Sequence, residues 1–308
     1  MAAYAMTLPI DRSHIATEQR NPRSMNLHTL SVAQLVTLMN CEDQTVPHAV
    51  AQAGRAITTF IEAVEPGFLA GGRLVYIGAG TSGRLGVLDA SEMPPTFQVP
   101  PDRIIGILAG GDRALRRSSE GKEDIRDGAH SELAKLKLGE HDTVLGIAAG
   151  ATTPYVLGAI EFAKSLNTPP VTGLLTCSPI EKPPMVDHLL VIDTGPELVT
   201  GSTRMKAGTA TKMTLNIIST TLMVRSGRVY QNLMVDLTAS NSKLRDRAAR
   251  IIGMLTGLSR EQAFKWLDAA GGDVKTAIVM RKLNVDRQNA AIKLDQAGGR
   301  LGLALGES

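Results

Sequence analysis

The chain has 308 residues, 43% of them hydrophobic and 20% charged, with a net charge of +3 at pH 7. That is enough apolar material for one large domain or two modest ones, and it excludes wholesale disorder and a small disulfide-stapled scaffold. Aromatics make up only 3%, so both the positive charge and the stacking surface expected of a nucleic-acid binder are missing.

Residues 1–24 are polar and irregular, with Asn21-Pro22-Arg23-Ser24 as a turn, and read as an arm that folds against a partner surface. Pro9, Asp11 and Arg12 interrupt the start before a signal-peptide core could form, and no run of 18 apolar residues follows. The expectation is a cytoplasmic protein without membrane association. Two helical stretches come next. Ser31 caps the first, and Pro47 opens the second, in which Val50, Ala53, Ile57, Phe60 and Ile61 recur at helical spacing.

After Pro66 five short apolar runs, at residues 73–80, 103–111, 142–150, 171–178 and 188–195, alternate with helix-length segments. Strands apolar on both faces predict a doubly wound parallel sheet covered by helices on each side, an α/β fold. Ligands in such folds sit beyond the carboxyl ends of the strands. A long helix is predicted over residues 204–226. Beyond Arg228 strand signals cease, and three short helical segments punctuated by Gly257 and Gly271-Gly272 predict a small bundle cored on Trp266 and Leu267.

The post-strand loops carry the chemistry. Gly78-Ala79-Gly80-Thr81-Ser82-Gly83 has the form of a dinucleotide-binding turn. No acid closes the second strand, however, and Pro94-Pro95 truncate the helix that follows, which leaves the ribose of a dinucleotide without an acceptor. Backbone N–H groups with the hydroxyls of Thr81 and Ser82 suit a phosphate monoester instead; a tight strand-to-helix turn with capping hydroxyls is the plain alternative. Gly150-Ala151-Thr152-Thr153-Pro154 and Thr200-Gly201-Ser202-Thr203 repeat the arrangement. Three hydroxyl clusters on one sheet edge point to a sugar phosphate.

The six histidines and two cysteines, Cys41 and Cys177, form no metal-ligand spacing or disulfide framework, and there is no serine-nucleophile elbow. The remaining candidates are carboxylates: Glu92 ahead of Pro94-Pro95, Glu123 with Glu120 and Asp124 near the start of a helical stretch, and Glu197 on a post-strand loop. First-turn acids favoured by the helix dipole are the ordinary reading of the Glu123 group. Arg84 and Lys206 read as solvated charges or salt-bridge partners.

Four stretches carry a family resemblance: Tyr76 to Gly86 continuing through Leu88-Asp89-Ala90-Ser91-Glu92 to Pro94-Pro95-Thr96; Gly195-Pro196-Glu197 with Thr200 to Thr209; Thr17-Glu18-Gln19-Arg20-Asn21-Pro22; and Asn232 to Asp236. Together they resemble the N-acetylmuramic acid 6-phosphate etherases, in order and over nearly the whole chain. The resemblance implies a three-layer αβα sugar isomerase (SIS) domain at about 65–228, an N-terminal arm and helices over 1–64, and a helical, ubiquitin-associated-like domain over 229–308. It also implies a homodimer with no metal or other cofactor.

The activity implied is cleavage of the D-lactyl ether of N-acetylmuramic acid 6-phosphate in cell-wall recycling, by elimination and addition of water. Glu92 is then the acid for departing lactate and Glu123 the group that handles the C2 proton. Gly80, Thr81, Ser82, Gly83, Thr152, Thr153, Glu197, Ser202, Thr203 and Lys206 are the implied substrate contacts. The family's Ser-Gly-Arg-Thr-Pro loop is replaced here by Gly150-Ala151-Thr152-Thr153-Pro154, without the first hydroxyl and the arginine, which implies a weaker phosphate grip. The alternatives on the same fold are a sugar-phosphate isomerase and a sugar-phosphate-binding regulatory protein.

Overall fold

A computed structural model describes residues 11–237, 239 and 241–307, residue 120 by its backbone alone. The first ten residues of the expected arm therefore lie outside the described residues. The chain forms two compact units: one comprises the chain up to Asp89 with Ile105–Asn216, the other Ala90–Ile104 with Ile217–Ser308.

The first unit opens with three single-turn 3₁₀ segments between Ala16 and Thr29. The described part of the arm packs on its own chain: Ile15, Thr17 and Asn21 are buried, and the Thr17 carbonyl accepts from Gly201 N–H at 3.1 Å. Helix α1 (Val32–Asp43) starts at Ser31, whose side chain and that of Gln34 cap each other's backbone. The second predicted stretch is two helices, α2 (Val46–Gln52) and α3 (Gly54–Leu69). Val50, Ala53, Ile57, Phe60 and Ile61 are all buried.

All five predicted strands form: β1 (Leu74–Gly78), β2 (Ile104–Leu108), β3 (Thr143–Ile147), β4 (Val171–Thr176) and β5 (His188–Val191). Their order is β2-β1-β3-β4-β5, and β1, β3, β4 and β5 pair in parallel. The chain leaves β1 toward β2 and returns to its other side at β3. The crevice beyond the ends of β1 and β3 is thus the switch point at which open α/β sheets take ligands.

Between β1 and β2 runs α4 (Gly80–Phe97); α5 (Arg113–Arg116) and α6 (His130–Leu136) precede β3, and α7 (Pro154–Lys164) follows it. Val75, Ile77, Val144 and Leu174 pack with Val156 and Ile160 of α7 and Leu133 of α6. On the opposite face a Cβ at Gly173 would meet the Phe60 ring of α3 at 2.8 Å, and one at Gly86 of α4 would meet Tyr76 Cβ at 3.0 Å. Alternate strand residues therefore face alternate helical layers, which is the three-layer α/β arrangement the apolar runs predict.

Pro94 and Pro95 do not end α4, which continues to Phe97. The long predicted helix is α8 (Lys206–Arg225). In the second unit a short antiparallel hairpin, β6 (Val229–Tyr230) with β7 (Leu233–Met234), stands where no strand was expected. The three predicted helices form as α9 (Ser242–Thr256), α10 (Arg260–Ala269) and α11 (Val274–Leu283), capped by Asn241, Ser259 and Asp273. Two more follow, α12 (Arg287–Gln296) and α13 (Leu301–Ala304).

Leu267 is in the bundle core as expected and Trp266 only packs against it, partly buried; the centre of the core is α11. Every residue of that helix from Val274 to Met280 is buried, because α9, α10, α12 and α13 all touch it. Lys275 is admitted to this interior by two contacts, Nζ donating to the Gly299 carbonyl at 2.7 Å and pairing with Asp236 at 2.8 Å.

Candidate functional site

At the switch point a cavity of about 220 Å³ opens among the loops after β1 and β3, the 3₁₀ arm and the approach to α8. The glycine-rich loop divides its labour. A Cβ on Gly78 would lie 2.5 Å from Gly83 N, and one on Gly83 would lie 2.5 Å from the Gly78 carbonyl oxygen. These two glycines let α4 start directly against its strand. Gly80 has φ +53° and no neighbour within 4 Å of a Cβ, so it serves the turn itself.

The first intrahelical bond of α4 comes from Gly83 N–H to the Ala79 carbonyl. The N–H groups of Gly80, Thr81 and Ser82 are therefore the open donors of the helix N-terminus, and all three residues line the cavity. Gly83, expected as a contact, is buried against Gly78 and does not.

The second loop lines the opposite wall with Gly150, Thr152, Thr153 and Pro154. Thr153 occupies the N-cap of α7 but its side chain makes no capping bond, which leaves the hydroxyl for the cavity. Tyr155 N–H, an open donor of the same helix end, is taken at 3.0 Å by the Glu123 carbonyl. That bond fastens the Glu123 segment to the second loop, and Glu123 and Asp124 line the cavity. Glu123 follows a 3₁₀ turn, Glu120–Lys122, rather than opening a helix; the helix-dipole account of this acid falls away.

Thr203 lines the cavity as expected, and Ser202 does not. Glu197 and Lys206 are placed elsewhere. Glu197 is 0% exposed, and its two carboxylate oxygens accept from Lys206 N–H and Ala207 N–H, each at 2.9 Å. It caps α8 from within. Burial raises its pKa above the ordinary carboxylate value, and those two backbone donors offset this only in part.

Lys206 Nζ meets Glu42 Oε2 at 2.9 Å, where Asn21 Nδ2 also donates at 2.9 Å, and Arg23 pairs with the other oxygen at 2.7 Å. Burial, the largest influence on Glu42, would raise its pKa. The bonds from Lys206 and Asn21, with the attraction of Lys206 and Arg23, outweigh it and hold the carboxyl below its ordinary value. Glu197 and Lys206 thus carry the loop 197–206 rather than touch the cavity. Glu92 is exposed on α4 and is not among the cavity's lining residues.

Arg12, Ile15 and Glu18 of the arm also line the cavity. Arg12 sits in a segment without periodicity or motif and leaves no sequence signal, whereas Glu18 stands in the Thr17 to Pro22 stretch. Glu18 lies against Gly201, whose Cβ would be 3.1 Å from Glu18 Oε2. Among the described residues no group of three or more His, Cys, Asp or Glu could hold a metal ion, and no helix is long and apolar enough to cross a membrane.

The family model of the glucokinase regulatory protein N-terminal SIS domain matches residues 49–164, the stretch that carries β1 to β3 and both loops. The N-acetylmuramic acid 6-phosphate etherase of Gloeobacter violaceus is 49% identical over 296 residues, 96% of each chain. The protein of that name from Synechococcus sp. strain CC9902 is 48% identical over 96% of this chain and 94% of its own. The chain belongs to the N-acetylmuramic acid 6-phosphate etherase family. A member from Exiguobacterium sp. is 46% identical over 92% of this chain and 97% of its own, so family membership extends over both units and not the SIS segment alone.

Proposed function

We propose that the protein is a carbon–oxygen lyase that converts N-acetylmuramic acid 6-phosphate and water to N-acetylglucosamine 6-phosphate and D-lactate. The observation that carries this reading is the meeting of Glu123 with the hydroxyls of Thr81, Ser82, Thr152, Thr153 and Thr203 around one cavity, in a chain of this family. Open N–H donors, hydroxyls and Arg12 suit the phosphate. A carboxylate on the same wall suits proton abstraction.

With the sugar ring open, the C1 aldehyde acidifies C2–H. Glu123 takes that proton, the C3–O bond breaks with its electron pair leaving on the lactate oxygen, and a proton is supplied there by the general acid, the role the family resemblance gives to Glu92, which does not itself line the cavity of this chain. Water then adds to the unsaturated aldehyde, hydroxyl to C3 and proton to C2. The reading retains a homodimer, and it keeps the three-part division at about 64 and 228 as a division of sequence pattern.

The test is turnover in deuterated water. The parent should release D-lactate and place one deuterium at C2 of the product, and Glu123→Gln or Glu92→Gln should each lower the rate at least about a hundredfold. Exchange at C2 without lactate would support the isomerase; neither exchange nor lactate from folded protein would support the sugar-phosphate-binding regulatory protein.

A further inference from the structure

Beside the main cavity lies a second, smaller one of about 40 Å³. The two share Ala79, Gly80 and Glu123, so Glu123 borders both. A single water needs roughly 10–15 Å³ by this measure. The smaller cavity therefore has room for a group of two or three heavy atoms and none for a sugar ring.

Its polar wall is Arg84 with Ser118 and Ser119. Arg84 Nε donates to the Ala114 carbonyl at 3.0 Å, which fixes the plane of the guanidinium. Among the described residues nothing accepts from its two terminal amino groups. Ser119 lies close against Gly110, where φ is +88° and a Cβ would lie 2.7 Å from Ser119 Oγ. An oriented, half-buried guanidinium with open donors and an adjacent hydroxyl is a receptor for a small planar anion.

We infer that Arg84 and Ser119 seat the carboxylate of the lactyl group, so that the substrate is gripped at two anions, phosphate in the larger cavity and carboxylate in the smaller, with Glu123 between them. The inference rests on the lyase reading for the identity of the substrate. It makes Arg84 a specificity-determining residue, since a phosphorylated amino sugar without the lactyl group presents no carboxylate to it.

Binding measurements by calorimetry separate the two ideas. The parent and the variants Arg84→Gln and Ser119→Ala are titrated with N-acetylglucosamine 6-phosphate alone, and with D-lactate in the presence of saturating sugar phosphate. The expected result is that Arg84→Gln weakens D-lactate at least about tenfold, as loss of a charge-assisted pair should, and changes the sugar phosphate by less than about twofold. Lactamide, which keeps the shape and lacks the charge, should bind parent and variant alike. Ser119→Ala removes one hydroxyl and should show the same selectivity more weakly, which keeps the inference testable if Arg84→Gln unfolds.

Equal weakening of both ligands, or no change in D-lactate, overturns the carboxylate seat. A parent that binds D-lactate in this Arg84-dependent way but releases none from the ether substrate would sink the lyase reading and leave the seat standing.

Discussion

Lys206 shows how far a residue's chemistry depends on what folds around it. In sequence it is a charge beside a hydroxyl cluster; in the fold it is 3% exposed and paired with a Glu42 that is 1% exposed. Replacing it with Met should cost about 3–5 kcal/mol of stability near neutral pH, because Glu42 keeps its burial and loses its main partner. The pH dependence follows from the depressed Glu42 pKa. A carboxyl held below its unfolded value contributes stability above that value, near 4.5, and loses it as pH falls through the folded value. The gap in denaturant stability between parent and Lys206→Met should therefore be full above pH 5 and narrow on acidification; a gap independent of pH would refute the role given to this pair. Arg12 makes the complementary case, a cavity cation from an unpatterned segment: Arg12→Ala should raise KM for the phosphorylated substrate several-fold while leaving thermal stability within about 0.5 kcal/mol, as an exposed side chain should.

Elements were legible where a period or a cap announced them. Ser31 stands at the helix start it signals, and the apolar runs are strands. Pro94 and Pro95 misled because they stand only two residues from the end of α4, so the N–H bonds they remove and the clash of their rings fall on its last turns and do not prevent the helix before them. The site was legible to the extent that it is made of post-strand loops. Glu197 was not, since nothing in Gly195-Pro196-Glu197 tells whether a carboxylate faces solvent or turns inward onto two N–H groups. The loop after β1 offers a direct test of the division among its glycines. Gly80→Ala meets open space and pays only the left-handed φ, about 1–2 kcal/mol. Gly78→Ala must drive α4 away from β1, since a Cβ would lie 2.5 Å from Gly83 N. Phosphate affinity and melting temperature should both fall much further for Gly78→Ala; the reverse ranking would mean that the turn, not the close approach, sets the loop.

On the scale of the whole molecule the division at 228 read from the loss of strand signals is a statement about pattern, whereas compactness follows contacts. The second unit draws on Ala90–Ile104 as well as on Ile217–Ser308, and α4 and α8 each begin in one unit and end in the other. Hydrophobic periodicity along a chain registers which face is apolar and not which distant segment covers it, so a discontinuous unit leaves no boundary signal. The consequence is testable by truncation. A chain ending at residue 228 would lose α9 to α13 and the core centred on Val274, Ile278 and Leu267, yet keep Met93, Phe97 and Val99, which are buried in the full chain and belong to the second unit. If the helices beyond residue 228 are what bury these three side chains, uncovering them costs several kcal/mol at about 25 cal/mol per Å² of apolar surface, a large part of a domain's net stability. The truncated protein should aggregate or melt far below the parent even though the sheet and both loops of the cavity are intact in its sequence. If it instead remained monodisperse, melted within a few degrees of the parent and bound N-acetylglucosamine 6-phosphate as well, the contiguous division at 228 would be the physical one, and the contribution of Ala90–Ile104 to the second unit would be energetically slight.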